Sequence, residues 1–311
     1  MDNVIGHKDI IHFFDRARAE KRLAHAYCFI GQEHVGRRWV AKNLAASILG
    51  VPITKLAVTP DFVSVEQSFD EKKGKTNKDI EIEQIRHLQD MLQLKPYLGG
   101  YKVGMIDQAE KMNTKTANAF LKTLEEPSGK TILILIITDE SQLPATILSR
   151  CQNIYFHPVV SGEIQEALVK KGVIDNQAGE IARLSHGLPG LAVEWSQHAE
   201  AYEAYKEDIQ RFASLLGKPL AEKIKVIEPL LESGDDHIAA RLRLKDMLSL
   251  WQLLLRDMTQ IGKQIHTLPS QTRLSTGVYV EVLSRIDRAQ TLLEENIHPR
   301  LLLEHILVRI P

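Results

Sequence analysis

The run TILILIIT, residues 131 to 138, constrains the fold of this chain more than any other stretch. An apolar run this continuous leaves no side for water, so it predicts a strand buried on both faces. Strands of that kind belong to parallel sheets covered by helices. Two further stretches read as its neighbours. AHAYCFI, residues 24 to 30, predicts a buried strand ending at Gly31, and YKVGMID, residues 101 to 107, predicts a strand whose last residue is the carboxylate Asp107. Helical patterns separate them, one from Val35 to Leu49 and one from about Asn113, a candidate N-cap, to Glu126, where Pro127 stops it. Strand and helix in alternation are the mark of an α/β domain with crossover helices.

Beyond residue 158 the strand signals stop and the pattern is helical to the end. Gly187, Pro189 and Gly190 punctuate one short helical group. A long helix around residues 239 to 262 places Met247, Trp251, Leu254, Met258 and Ile261 on one apolar stripe, widened by Leu244, Leu248 and Leu255, and this predicts burial in a bundle within or between chains. A last helix is expected to begin with Pro299 after His298 and to run through LLLEHILVRI. At 311 residues the chain suggests two or three domains.

The 39 basic and 40 acidic residues leave a net charge of -1, which argues against a chain that grips nucleic acid over its whole surface; any such contact is local or shared. MDNVIGHKDI lacks the pattern of a secretion signal, and ILILII is too short to cross a membrane, so a cytoplasmic protein with no membrane partner is expected. Cys28 and Cys151 have no C-x-x-C spacing and support neither a zinc site nor a disulfide framework.

GQEHVGRR, residues 31 to 38, follows the first strand with the glycine spacing of a phosphate-binding loop. In a working loop the backbone N–H groups cradle phosphate, a lysine reaches the terminal phosphates and a hydroxyl ligates Mg²⁺. Gly31 and Gly36 keep the backbone part. Arg37 stands where the lysine belongs, with a planar guanidinium in place of a compact ammonium. Arg38 puts a cation where the metal ligand belongs, so Mg²⁺ would be unligated and repelled. Asp107 occupies the strand end where such enzymes hold the metal, but the adjacent Gln108 is an amide and cannot take a proton. Taken alone, the glycines fit an ordinary strand-to-helix turn better than a nucleotide site, and Asp107 fits a solvated carboxylate at a strand end equally well.

KMNTKTANAFLKTLEEPSGKTILILIITDESQLPATILSRCQNIYF, residues 111 to 156, resembles the core of bacterial DNA polymerase III clamp-loader subunits, in which LKTLEEP precedes an apolar strand and an L-P-x-T-I-x-S-R-C segment. AHAYCFIG and NIHPRLLLEHILVRI resemble the same family, so the likeness covers most of the chain. It implies an AAA+ (P-loop, parallel-sheet) α/β domain over residues 1–158, a small helical lid over 159–205 and an all-α C-terminal collar domain over 206–311. By this resemblance Gly31 to Arg38 fall on Walker A, Asp107 and Gln108 on Walker B, and Thr138 on the sensor 1 strand. Gly190 falls where motor subunits carry a phosphate-contacting arginine. Many relatives also carry a four-cysteine zinc module after the loop helix; with no cysteine between 29 and 150, residues 50 to 62 are expected to form a short metal-free connection and KKGK, 72 to 75, an exposed turn.

The resemblance further implies a subunit without ATPase chemistry of its own, with neither zinc nor productively bound ATP and Mg²⁺. Ser149, Arg150 and Cys151 keep the S-R-C motif, so Arg150 is the candidate arginine finger, given in trans to a neighbouring ATP site. Judged locally, Arg150 also fits a cation placed near a helix C-terminus by the macrodipole. Implied partners are the delta and the ATP-binding gamma/tau subunits in a hetero-pentameric ring, with the sliding clamp and primed DNA reached through the complex. Two alternatives stand beside this: an active AAA+ ATPase using Arg37 in place of lysine, and a regulator that binds nucleotide without hydrolysis.

Overall fold

The computed structural model describes residues 4–70, 75–77, 79–97, 100–127, 129–231, 237–259, 276–294 and 299–310. The chain divides into two compact units, Met1–Gln197 and His198–Pro311.

In the first unit, α1 (Lys8–Ala19) leads into β1 (Ala26–Ile30) and then α2 (Arg37–Leu49). A 3-10 turn over Ile53–Val58 precedes β2 (Phe62–Val65), the short pair β3 (Phe69–Asp70) and β4 (Lys75–Thr76), and α3 (Ile82–Gln93). There follow β5 (Lys102–Ile106), α4 (Thr114–Glu125), β6 (Thr131–Ile137), α5 (Ala145–Leu148) and β7 (Gln152–Tyr155). Three more helices, α6 (Ser161–Lys170), α7 (Asp175–Leu184) and α8 (Pro189–Gln197), complete the unit. Strands β2, β5, β6, β1 and β7 lie side by side in that order, and every pairing is parallel.

The apolar runs form strands because the sheet is covered twice. Side chains alternate between faces along each strand. Ala26, Cys28 and Ile30 of β1 and Leu133, Leu135 and Ile137 of β6 therefore join Ile85, Leu88, Phe120 and Leu124 of α3 and α4. Tyr27, Phe29, Ile132, Ile134 and Ile136 join Phe14 of α1 and Val40 and Leu44 of α2 on the other face. Phe14 meets Tyr27 edge to face at 5.0 Å between ring centres, and removing its wholly buried ring would cost about 3–5 kcal/mol. Asn113 caps α4, its side chain accepting from Thr116 N–H at 3.0 Å, and the helix ends at Glu125, two residues before Pro127.

Four strands are added to the three expected, and two of them, β2 and β7, join the main sheet. β2 begins at Phe62, the last residue of the anticipated 50–62 connection, and pairs with β5; β7 follows the S-R-C segment and pairs with β1 along the sheet edge. Of KKGK, residues 72 to 74 lie outside the described residues and Lys75 belongs to β4.

The second unit is helical throughout its described residues: α9 (Ala199–Leu215), α10 (Leu220–Leu231), α11 (His237–Thr259), α12 (Thr276–Glu294) and α13 (Pro299–Leu307). The predicted stripe is its core. Leu244, Met247, Leu248, Trp251, Leu254 and Leu255 are all buried, with Trp251 against Phe212 of α9 at 5.5 Å. The Met258 side chain, Ile261 and His298 lie outside the described residues. Among the described residues no helix is long and apolar enough to cross a membrane.

Candidate functional site

In a parallel sheet with crossovers, ligands gather outside the carboxyl ends of the strands where the strand order reverses. Here those ends are Gly31 after β1, Asp107 after β5 and Thr138 after β6, one residue past each strand. The loop from Gly31 runs to Gly36, which caps α2 with φ 111. A side chain there would be strained, so the turn needs glycine. The loop has the expected frame, and a cleft of about 410 Å³ opens beside it, with Glu33, Arg38, Lys42, Asp107, Gln108 and Gly190 among its walls.

The side chains fill this frame in an unexpected way. Arg37 is buried, 8% exposed, and its guanidinium donates to the Ile137 carbonyl at the end of β6. Burial lowers its pKa, while the charges of Glu110, Asp107 and Glu33 oppose that shift. Arg38 spans two strand ends. Its Nη1 lies 2.9 Å from Asp107 Oδ2 and its Nη2 2.6 Å from Glu66 Oε2, just beyond β2. Asp107 has a side chain only 12% exposed, and burial pushes its carboxyl up while the Arg38 charge pulls it back. The atoms on Asp107 are thus those of a fixed guanidinium, where a working site would place a divalent cation. The residues present do not suit Mg²⁺: the position beside Asp107 that would supply a metal ligand carries a positive charge instead.

Gln108 adopts a left-handed conformation with φ 52, and its N–H donates to Asp107 Oδ1 at 3.1 Å. Thr138, at the end of β6, is partly buried. Its N–H and hydroxyl donate to Glu110 Oε1 at 3.3 and 3.0 Å. Gly190, the second residue of α8, donates its N–H to the His34 carbonyl at 2.8 Å, and His34 Nδ1 stands 3.8 Å from Glu194 of the same helix. The loop is therefore bonded directly to α8. Among the described residues no three His, Cys, Asp or Glu side chains form a metal cluster.

The S-R-C residues occupy a separate place, at the end of α5. Ser149 caps this helix and its hydroxyl donates to Thr146 O at 3.3 Å. Arg150 donates from Nη1 to the same carbonyl at 2.8 Å, and its Nη2 lies 2.7 Å from Glu125 Oε1. These contacts hold the guanidinium at the end of α5, a helix of a single turn. They leave the side chain 37% exposed. The Cys151 thiol is pushed up by burial to about 12, as is that of Cys28.

Glu66, Glu110, Glu125 and the pair His34–Glu194 join the candidate residues only in three dimensions. Three of them stood in or beside a motif in the sequence: His34 within the loop, Glu125 within LKTLEEP, and Glu110 three residues after Asp107.

Known proteins sort this geometry. Residues 6–160 match the family described as DNA polymerase III, delta subunit. The chain is similar to DNA polymerase III subunit delta' of Pseudomonas aeruginosa, 36% identical over 142 residues, which cover 41% of this chain and 42% of that protein. It is 32% identical to subunit tau/gamma of Haemophilus influenzae over 171 residues, 53% of this chain and 25% of the relative. It is 26% identical to subunit tau of Escherichia coli over 269 residues, 82% of this chain and 42% of the relative. The chain thus spans less than half the length of these relatives. A solved gamma subunit-related protein of Thermotoga maritima superposes with a TM-score of 0.52 at 21% identity, covering 95% of this chain and 97% of that one, and supports the fold, an AAA+ α/β domain followed by a helical C-terminal part. With the loop, the strand-end residues and the S-R-C helix on one sheet of this topology, these matches make the chain a member of the bacterial DNA polymerase III clamp-loader family.

Proposed function

We propose that the chain is an ATPase-inactive delta prime subunit of the clamp loader, helping to load the sliding clamp onto primed DNA while supplying Arg150 in trans to a neighbouring ATP site. The observation that carries the first half is the ion pair of Arg38 with Asp107 at 2.9 Å. It consumes the carboxylate that would hold the metal. Arg37, bonded to the Ile137 carbonyl, leaves the lysine's task unfilled, and Gln108 offers no base. On this reading the chain needs neither ATP, Mg²⁺ nor zinc, works in the cytoplasm, and joins delta and gamma/tau subunits in a five-membered ring. On this reading its parts are an α/β domain at 1–158, a lid at 159–197 and a collar at 198–311, the last boundary moved from 205 because α9 runs unbroken over Ala199–Leu215 within the second unit.

The second half follows from chemistry that needs no home nucleotide. An arginine supplied across a subunit boundary stabilises charge on a transferring phosphoryl group, an effect that reaches about 10³ to 10⁵ in rate. The partial exposure of Arg150, and its position outside the cleft of its own chain, support this reading.

The isolated chain is expected to show no Mg²⁺-dependent ATPase activity, and Arg150→Ala in the assembled complex is expected to slow hydrolysis at one neighbouring site. Normal turnover in that reconstituted variant would sink the trans role. The cleft beside Gly36 favours one other reading, a regulator that binds nucleotide without cleaving it, because its backbone and Lys42 could still attract phosphate. Calorimetry with ATP and ADP, with and without Mg²⁺, separates the two: heat of binding to the isolated chain supports the regulator. The active-ATPase alternative has Arg37 to act through, and that guanidinium, though at the cleft wall, is bonded to the Ile137 carbonyl.

A further inference from the structure

Arg150 already has an anion of its own. Glu125, the last residue of α4, places Oε1 2.7 Å from Arg150 Nη2, while Thr146 in α5 accepts from Nη1 at 2.8 Å. The two motif segments, LKTLEEP and PATILSRC, thus meet at one guanidinium. Both side chains are open to water, 37% exposed for Arg150 and 49% for Glu125. A pair so solvated adds little to stability, yet it fixes where the guanidinium rests and what it must give up in order to move.

Resting on the reading that Arg150 serves a neighbouring site, we propose that Glu125 is a positioning residue acting through Arg150 as a competing anion, which holds the guanidinium at home until a neighbour's triphosphate takes its place. A carboxylate and a phosphoryl oxygen seek the same fork of N–H donors, and one Nη2 edge cannot satisfy both in full. The exchange makes and breaks no covalent bond; it trades one charge-assisted hydrogen bond for another. The triphosphate prevails as charge builds on the transferring group in a site shielded from water. Breaking the home pair therefore falls on the path to the transition state and restrains turnover at the neighbouring site. The Thr146 carbonyl, being neutral, competes more weakly and keeps the side chain near the helix end.

The test uses the complex reconstituted from the full chain and its partner subunits, with ATP turnover as the readout. Glu125→Gln keeps the shape and removes the charge. It is expected to raise kcat/KM for ATP by about two- to five-fold at low salt, the range that an exposed ion pair supports, and the gain should shrink as salt screens the pair. Glu126→Gln, which removes the adjoining charge, should change turnover little. In an Arg150→Ala background, Glu125→Gln should change nothing. An unchanged or lowered kcat/KM in E125Q overturns the proposal, as does an equal gain in E126Q or in the Arg150→Ala background. Should Arg150→Ala alone leave turnover normal, the trans reading itself fails and the competing role falls with it. A neutral E125Q beside a crippled Arg150→Ala removes only the competing role. A matching Tm for E125Q and the parent establishes that the comparison is between folded proteins.

Discussion

Arg38 reaches Asp107 across 2.9 Å, tying the first turn of α2 to the end of β5. Glu66, on the same guanidinium at 2.6 Å, adds the end of β2 to the tie. A divalent cation in a working site would cross-link a loop helix and a strand end; here a side chain does so covalently from one of them, with no ligand to lose.

Arg38→Met should weaken the fold in a pH-dependent way. Burial holds the Asp107 carboxyl above its ordinary pKa, and Arg38 is the largest influence opposing that. A carboxyl raised in the folded state keeps its full relative stability below its unfolded pKa and loses it as pH rises through the folded value. Deleting the Arg38 charge raises the folded value further, so more stability is lost on the way to neutral pH. The deficit of R38M should be small near about pH 3.5 and grow to about 1–3 kcal/mol by about pH 7. Thermal melts across that range check it. A deficit independent of pH would mean that Arg38 acts through packing alone.

Gly190→Ala should loosen the loop from α8. An added Cβ would stand 2.8 Å from the His34 carbonyl oxygen and 3.1 Å from its Cα, both backbone atoms that cannot rotate aside. Either the helix or the loop must shift, weakening the Gly190 N–H bond to His34 O, at an expected cost of about 1–3 kcal/mol. Hydrogen exchange should quicken at residues 33–36 and 189–192 and not in the second unit. Unchanged exchange in the loop would show that the contact is not what holds it.

The features legible in the sequence were those written as local patterns. β1, β5 and β6 were marked by apolar runs, α4 by Asn113 and Pro127, and the core of α11 by its stripe, because burial on both faces and on one helical face leaves a signal in consecutive residues. β7 was hidden because it is an edge strand whose residues are half-buried or exposed, and β2 because four residues of mixed exposure show no alternation. The substitutions at 37, 38, 108 and 190 were readable as residue types. Their consequences were not: Arg37 turning to Ile137 and Arg38 finding Glu66 depend on rotamers and on a strand that brings residue 66 beside residue 107.

Neither cysteine should react in the folded chain. Cys28 is wholly buried and Cys151 partly so, and burial pushes both thiols up to about 12. At neutral pH almost none of either is thiolate, the reactive form. Intact mass after brief treatment with a maleimide should show no addition in buffer and two in denaturant. Rapid addition at Cys151 in buffer would mean that the end of α5 opens readily.

Restoring the loop alone should restore binding without turnover. Arg37→Lys returns a compact ammonium that need not lodge against Ile137, and Arg38→Thr frees Asp107 and supplies a hydroxyl for metal. The double variant R37K/R38T should therefore bind ATP more tightly with Mg²⁺ than without, where the parent shows no such dependence. Hydrolysis should stay at background, since the Gln108 amide still cannot accept a proton. Adding Gln108→Glu supplies that base, and only the triple variant should gain measurable turnover. Gly190 would still lack the arginine of the motor subunits, and the gain should remain well below theirs. Calorimetry and phosphate release on the three proteins decide the matter. If the unaltered chain binds Mg²⁺-ATP as tightly as the double variant, then the pairing of Arg38 with Asp107 does not close the site to metal.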